Sequence, residues 1–406
     1  MMKSEYDVVI IGGGASGMTA AIILKRQCPE WDVAVFEKKE VFLKKVAQSG
    51  NGRCNISNIA CSEQDMVREF FRSVGISLRA DDEGRLYPYS EDAKDVTKLL
   101  ITAAEACGVE LFAEANVTKL EAIPLGLNPR GGFHIFVGED EERVYAENVV
   151  LAAGGKSYAS LGTTGDGYIF ARRLGHNVSK LAPALTGVEV TDNIRSLKGL
   201  RVKAGVHLIR DGEELFHEEG EVQFREDAVS GICIMNMSRF IKTLPGETPE
   251  DSFRHYEIRM DLIPDHSSSD ISDIICERLN MPGYDEQAAL RTIVKEEMAN
   301  YIIRKERVFF ARCVDGEVTN EDKADFIADE LSDLRFKVRG LRGWNEAQVT
   351  SGGVDLTEVD ENTMESKVVT GLFITGEMLD YDGPCGGYNL HHAWLTGIKA
   401  GYGLAR

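Results

Sequence analysis

"YDVVIIGGGASGMTAAIILKRQCPEWDVAVFEKK", residues 6–39, reads as strand, turn, helix and second strand. Val8, Val9, Ile10 and Ile11 form an unbroken apolar run, the pattern of a strand covered on both faces of a parallel sheet. Gly12, Gly14 and Gly17 then set G-x-G-x-x-G at the strand-to-helix turn. In such a turn the first glycine permits the tight bend and the second admits a pyrophosphate to the backbone. The third lets helix and strand lie close together. A helix over 15–26 would place its free N–H groups and the positive end of its dipole where phosphates sit. The second strand, DVAVF, runs into Glu37, 20 residues beyond Gly17, where a carboxylate can accept the ribose hydroxyls. Strand, helix and acid together predict dinucleotide binding; the bland alternative is a purely structural glycine turn. A carboxylate at 37 repels a 2′-phosphate, so this site suits FAD or NAD rather than NADP.

A second glycine cluster, "SGNGRCNIS" at 49–57, follows after a short connection. Two backbone-exposing segments so close together suggest a ligand with a second end to be held. An NAD dehydrogenase normally continues from its second strand into another helix, whereas flavoproteins often place here a loop under the ribityl and flavin part of a longer cofactor. Two later segments repeat the theme. "ENVVLAAGGKSYASLGTTGDGYIFARRLGH" (147–176) predicts a strand at 148–152, Gly154-Gly155, and a helix beginning near Asp166. "GLFITGEMLDYDGPCGGYNLHHAWLTGIKAGYGLA" (371–405) predicts a strand at 372–375, Gly376-Glu377, a glycine loop, and a helix from about Asn389. N–H groups at that helix start could stabilise negative charge on a reduced flavin.

Bulk properties narrow the class. The chain has 406 residues, 43% of them apolar, enough for two or three domains. Its 46 basic and 66 acidic residues give a net charge of −20, which disfavours non-specific binding to nucleic acid or anionic membranes. We therefore expect a small-molecule substrate and neither a nucleic-acid nor a membrane partner. The eight cysteines, at 28, 54, 61, 107, 233, 276, 313 and 385, form no C-x-x-C and no metal-like spacing, as expected of reduced thiols in a cytoplasmic protein without a metal site. The opening "MMKSEYDVVII" enters a strand without a signal-peptide pattern, and no stretch approaches the ~18 apolar residues of a membrane span.

Five stretches make the chain resemble the HI0933-like flavoproteins, the BaiN-like and aminoacetone-oxidase-like FAD-dependent oxidoreductases. They are "SGNGRCNISN", "GGKSYASLGTTGDGYIFARRLGH", "GEVQF…SGICIMNMSR", "VTSGGVDLTEVDENTMESKVVTGLFITGE" and "LDYDGPCGGYNL". This chain carries Gly50-Asn51-Gly52 where the family usually shows three glycines. The resemblance spans essentially the whole chain and implies bound FAD. With it, the first βαβ unit would contact the cofactor through Gly12, Gly14, Ala15, Ser16, Gly17, Glu37 and Lys38. The second cluster would contribute Lys45, Ser49, Gly50, Gly52, Arg53, Cys54 and Asn55, and Val117 would lie near the adenine. Ala153, Gly154 and Gly155 would follow the third strand, with Gly376, Glu377, Gly387, Tyr388, Asn389 and Leu390 completing the set. The run "GTTGDGYIFARRLG" is also similar to a stretch in fumarate-reductase-type flavoproteins, which hints at reduction of a carbon–carbon double bond.

The expected architecture is a doubly wound Rossmann-type FAD-binding domain of class α/β, formed by 1–186 and 338–406. It would be interrupted by a β-rich subdomain (187–266) and a helical subdomain (267–337), an insertion of the kind that shapes a substrate pocket. Between 79 and 130 the pattern gives an antiparallel excursion at "GRLYPYS", a helix 91–107, a strand 109–113 and the alternating strand "NVTKLEAI". "ISDIICERL" puts Ile271, Ile274, Ile275 and Leu279 on one helix face, and "KADFIADELSDLRFKV" is read as helix too. Phe326 and Leu331 are assigned to the core.

Single residues are weighed against their bland roles. Arg53 is placed beside the cofactor, the alternative being a loop arginine bonding carbonyls. Cys54 and Cys385 are read as packing thiols. His391 and His392 are adjacent on a helix and so point in different directions, poor for joint metal binding. Tyr158 and Tyr388 could donate a proton to a substrate, against ordinary packing. Asp166 is read as a helix cap or N-terminal charge. No residue is assigned as catalytic.

The activity expected is hydride transfer between flavin N5 and a small organic substrate. By the family resemblance this is NAD(P)H-linked reduction of an enone, or oxidation of a small amine with oxygen. No second G-x-G-x-x-G with strand, helix and acid is present, so a nicotinamide donor would dock transiently or another donor would serve. A flavin-binding protein without turnover and a nucleic-acid-modifying enzyme are the alternatives from other classes.

Overall fold

The structure is a computed structural model and describes residues 2–123, 131–313 and 317–406. The chain divides into two compact units, residues 1–184 with 344–406, and residues 185–343. The stretch 124–130, at the end of the excursion read at 79–130, lies outside the described residues.

The first unit is built on a sheet whose parallel strands run in the order Glu110–Phe112, Val33–Phe36, Glu5–Ile11 and Glu142–Leu151. The long strand Glu142–Leu151 then divides its free edge. Its first half pairs antiparallel with Phe133–Val137, which in turn pairs with Val117–Ala122. Its last residues, Val149 to Leu151, pair in parallel with Leu372–Ile374, so the C-terminal segment returns into the first sheet. Val8, Val9 and Ile10 are fully buried, as a strand with both faces covered requires.

The first helix, Ala15–Gln27, is buried from Ser16 through Lys25 because the last helix, Tyr388–Leu404, lies along it. Gly397 and Gly401, one turn apart, make that approach possible. A Cβ at Gly397 would lie 2.4 Å from the Ser16 carbonyl oxygen, and one at Gly401 would lie 2.7 Å from Ile23 Cβ. Gly397→Ala is therefore expected to destabilise. Overpacking against backbone costs about 1–3 kcal/mol and outweighs the ~1 kcal/mol helix-propensity gain. A net loss of up to about 2 kcal/mol in urea unfolding is the expected result.

The second unit is a closed antiparallel barrel in the order Val188–Val190, Ala228–Ser230, Glu213–Phe224, Arg201–Arg210, Tyr256–Asp261 and Leu334–Leu341. The helices Ser268–Leu279, Glu286–Leu290 and Asn320–Ser332 share one apolar core with it, including Ile275, Leu290, Ile327, Phe224 and Phe336. The β-rich and helical pieces read separately from sequence are thus one unit, and the break expected at 337 falls inside a strand. The helix Asn320–Ser332 begins at a capping box, Thr319 with Asp322, and stops before Leu334. "LRFKV" is strand, not helix, because Leu334, Phe336 and Val338 are buried with period two while Arg335 and Lys337 face solvent. Ile274 is exposed, leaving Ile271, Ile275 and Leu279 as the buried face of that helix. Phe326 is half-buried beside Phe309 and Phe310, whereas Leu331 is in the core.

Among the described residues no helix is long and apolar enough to cross a membrane. Seven described cysteines are free thiols.

Candidate cofactor site

The three glycines of the first turn do different things. Gly12 is left-handed (φ +109°), and a Cβ there would lie 2.4 Å from the Ala152 carbonyl oxygen. A Cβ at Gly17 would lie 2.0 Å from the Gly12 carbonyl oxygen. Both positions are closed by the protein's own backbone. Gly14 is the opposite case: a Cβ there meets nothing within 4 Å. It is the residue preceding the helix Ala15–Gln27, whose N-terminus has no side-chain cap, so unpaired N–H groups face that opening.

Glu37 stands beside the turn, its Oε2 accepting from the Gly13 N–H at 2.9 Å and its Oε1 from the Lys39 N–H at 2.9 Å. Lys38 is tied to the loop ahead of the helix Asp166–Arg173: its ammonium reaches the Asp166 carboxylate at 2.7 Å and the Thr164 hydroxyl. Asp166 is therefore not a side-chain cap; it is the N-terminal charge, the acidic residue in the first turn of the helix. The helix has no side-chain cap, and the Asp166 carboxylate is taken by Lys38 and Thr164. Burial pushes the Asp166 carboxyl up, but those two hydrogen bonds outweigh it and hold its pKa below the usual range.

The segment 49–55 is a tight turn with Gly50 and Asn51 both left-handed, φ 57° and 55°. Asparagine tolerates that conformation, which is why Asn51 can stand between two glycines. The Ser49 hydroxyl donates to the Val46 carbonyl. Arg53 is half-exposed; its guanidinium lies 4.9 Å over the Tyr87 ring and 3.8 Å from Glu91. Cys54 is fully buried, and burial pushes its thiol up to about 12, so it is protonated and a poor nucleophile. Asn55 Oδ1 is buried without a hydrogen-bond partner.

Lys45 reaches across to a cluster the sequence only half revealed. Its Nζ donates to Glu377 Oε2 at 2.7 Å and to the Ser157 hydroxyl at 2.8 Å. The other carboxylate oxygen of Glu377 accepts from the Thr350 N–H at 2.8 Å and from Ser157 at 3.0 Å. The Thr350 hydroxyl in turn accepts from the Lys156 and Ser157 N–H groups. Gly155 must lack a side chain here, since a Cβ would lie 2.4 Å from Thr350 Oγ1 and 2.5 Å from Glu377 Oε1. Ser157 and Thr350 were missed as site residues, although both sit in the family-like stretches. Glu377→Gln should cost about 1–2 kcal/mol of apo-protein stability in urea unfolding, because it leaves the partly buried Lys45 cation without its carboxylate.

The C-terminal segment closes on these pieces. Gly376 donates its N–H to the Thr396 hydroxyl at 2.9 Å, and a Cβ on it would lie 2.6 Å from Ser16 Oγ. Gly387 precedes the helix Tyr388–Leu404, and a Cβ on it would lie 2.7 Å from Asn55 Oδ1. Asn389 clamps the glycine loop: its Oδ1 accepts from the Gly383 N–H at 2.8 Å and its Nδ2 donates to the Gly383 carbonyl at 2.8 Å. Tyr388 and Leu390 are half-buried. Ala153 and Gly154 follow the strand Glu142–Leu151, where the side chain of Ala153 lies within 2.9 Å of the Cβ position at Gly167 and Gly154 is left-handed. Val117 is buried at the start of its strand, opposite Val137.

His391 and His392 do diverge. The His391 ring is fixed between the Ser57 hydroxyl and the Ser62 carbonyl, both at 2.8 Å from a ring nitrogen, and burial lowers its pKa. His392 stacks on Tyr381 with ring centroids 4.1 Å apart, and its Nε2 is buried without a partner. Tyr158 is left-handed (φ 55°) and donates its N–H to the Trp344 carbonyl.

These residues fit FAD on two observations. An uncapped helix start faces open space at Gly14. Asn55 Oδ1, Thr375 Oγ1 and His392 Nε2, all buried and unpartnered, lie in or beside the segments expected to hold the cofactor.

Comparison with known proteins agrees. Residues 7–74 match the FAD binding domain model, and residues 60–403 match the HI0933-like protein Rossmann domain. The chain is 30% identical to the 3-dehydro-bile acid delta(4,6)-reductase of Clostridium scindens over 98% of both chains. It is 24% identical to the ribosomal RNA dihydrouridine synthase of Haemophilus influenzae over the full length of both. Among solved structures, the open conformation of a flavocytochrome c3 fumarate reductase has the same fold, with a TM-score of 0.51 at 16% identity over 99% of this chain and 78% of that one. A Rossmann-type FAD-binding fold with this distribution of motifs and full-length relatives places the chain in the HI0933-like family of FAD-dependent oxidoreductases.

Proposed function

We propose that this protein reduces a carbon–carbon double bond conjugated to a carbonyl group in a small molecule, with NADH or NADPH docking transiently as electron donor. The observation that carries this reading is the likeness to the bile-acid delta(4,6)-reductase, which runs the length of both chains.

When bound, FAD supplies hydride transfer at its N5. The chain's own residues provide binding and electrostatics. The N–H groups at the start of Ala15–Gln27 would hold the pyrophosphate, and Glu37 would accept from the ribose hydroxyls. The Lys45–Glu377–Ser157 cluster keeps the turn at Gly155 and the strand end at Gly376 in one arrangement. N–H groups at the start of Tyr388–Leu404, next to the loop that Asn389 clamps, would stabilise negative charge on a bound reduced cofactor. The buried Cys54 thiol, held protonated, would not serve as a thiolate nucleophile or relay beside the cofactor.

The test is anaerobic mixing of the FAD-loaded protein with NADH and with NADPH, followed by an enone panel. Bleaching by a nicotinamide and recovery of colour with an enone is the expected result. A flavin that neither nicotinamide reduces and a small amine does would replace the reductase with an amine oxidase.

A second reading rests on the dihydrouridine synthase relative. Uridine also carries a double bond conjugated to a carbonyl, so the same hydride chemistry would serve ribosomal RNA. That relative keeps an RNA substrate open despite the charge of −20. Recovery of flavin colour by deproteinised ribosomal RNA and not by enones would select it.

A further inference from the structure

We infer that His392 is a positioning residue for the cofactor, its Nε2 lone pair accepting a hydrogen bond from a hydroxyl of the FAD ribityl chain; the inference rests on FAD being the cofactor. His392 lies in the second turn of the helix Tyr388–Leu404, with one face of its ring against Tyr381. The Gly376 backbone acts on the imidazole in the sense of a carbonyl acceptor, opposing the burial that lowers its pKa. Nε2 is buried and unpartnered, and in the neutral imidazole with its proton on Nδ1 it is a bare acceptor. A buried acceptor without a donor is costly, and such atoms mark a missing partner. Neighbouring Thr375 Oγ1 is orphaned as well, so the two do not satisfy each other.

The chemistry of the partner follows from what surrounds it. The Cβ position of Gly376, whose backbone acts on the imidazole, lies 2.6 Å from Ser16 Oγ, in the first turn of the helix expected to hold the phosphates. Phosphate oxygens are acceptors and cannot meet a lone pair. The donors nearest to the pyrophosphate on the flavin side of FAD are the ribityl hydroxyls. The imidazole is kept neutral by its burial, as an acceptor requires.

Two variants test this by FAD titration of apo-protein. His392→Phe keeps an aromatic ring against Tyr381 and removes the acceptor; it is expected to bind FAD about tenfold more weakly, or worse. His392→Gln restores an acceptor and should recover most of that loss. Affinity of His392→Phe equal to wild type, or His392→Gln as weak as His392→Phe, overturns the inference. Should His392→Phe fail to fold, wild-type protein labelled with nitrogen-15 histidine gives the answer. The unprotonated His392 nitrogen signal must move when FAD is added, and an unmoved signal overturns the proposal. A wild-type chain that takes up no FAD is a different result, which removes the cofactor assignment itself.

Discussion

Gly14→Ala is expected to fold within about 1 kcal/mol of wild type and to bind FAD about 10- to 100-fold more weakly or worse. The first half follows from empty space: a methyl at Gly14 meets no protein atom within 4 Å, and its backbone (φ −85°, ψ −164°) is one alanine adopts freely. The residual cost is the poorer helix-start preference of alanine. The second half follows because that space is where a pyrophosphate must approach the uncapped helix start. Loss of one or two hydrogen bonds to a charged group, at about 1.5–3 kcal/mol each, corresponds to roughly tenfold or more per bond. Gly17→Ala is the counterpart. Its methyl would lie 2.0 Å from the Gly12 carbonyl oxygen, backbone that cannot swing aside, so it should cost about 3 kcal/mol or more of apo-protein stability. Urea unfolding of the two apo variants and FAD titration of each separate the ligand-facing glycine from the packing glycine. Gly14→Ala that retains FAD with wild-type affinity would place the dinucleotide elsewhere.

How far the sequence alone reached depends on the range of the interaction. The first βαβ unit was legible because its signals are local: an apolar run, glycines at fixed offsets and an acid at the end of the next strand. The barrel strand Leu334–Leu341 was misread because "LRFKV" directly follows a helical pattern, and five residues of alternation are a weak signal beside it. The Lys45–Glu377 contact joins residues far apart in sequence, and Ser157 and Thr350 acquire meaning only once the sheet brings their segments together. Asp166 was legible as the charge at its helix start, but not its partner. Nothing local announces that Lys38, from the end of another strand, takes its carboxylate. The orphaned nitrogen of His392 has no sequence signature at all, because it is defined by the partners around it.

Apo-protein stability is expected to fall by about 2 kcal/mol between pH 7.5 and pH 5, and much of that loss should vanish in His392→Phe. Burial holds His392 at about 4, with the charges of His391 and Lys399 acting in the same direction; burial lowers His391 as well. In the unfolded chain both titrate near ~6.5. Between those values the unfolded state binds protons that the folded state refuses, so stability drops as pH falls below about 6.5 and levels off below about 4. Carboxylates held low in the folded state, such as Glu286 and Glu358, add a loss of the same sign only at lower pH, where unfolded carboxylates take up protons. His255, held high by its hydrogen bond to Asp211, acts in the opposite sense and favours the folded state as pH falls. The window from 7.5 to 5 therefore reports histidines. Urea unfolding of wild type and His392→Phe at three pH values across it isolates the one at 392. Parallel slopes for the two proteins would mean that the imidazole is hydrated and charged on the folded surface, and a buried neutral His392 would then be untenable.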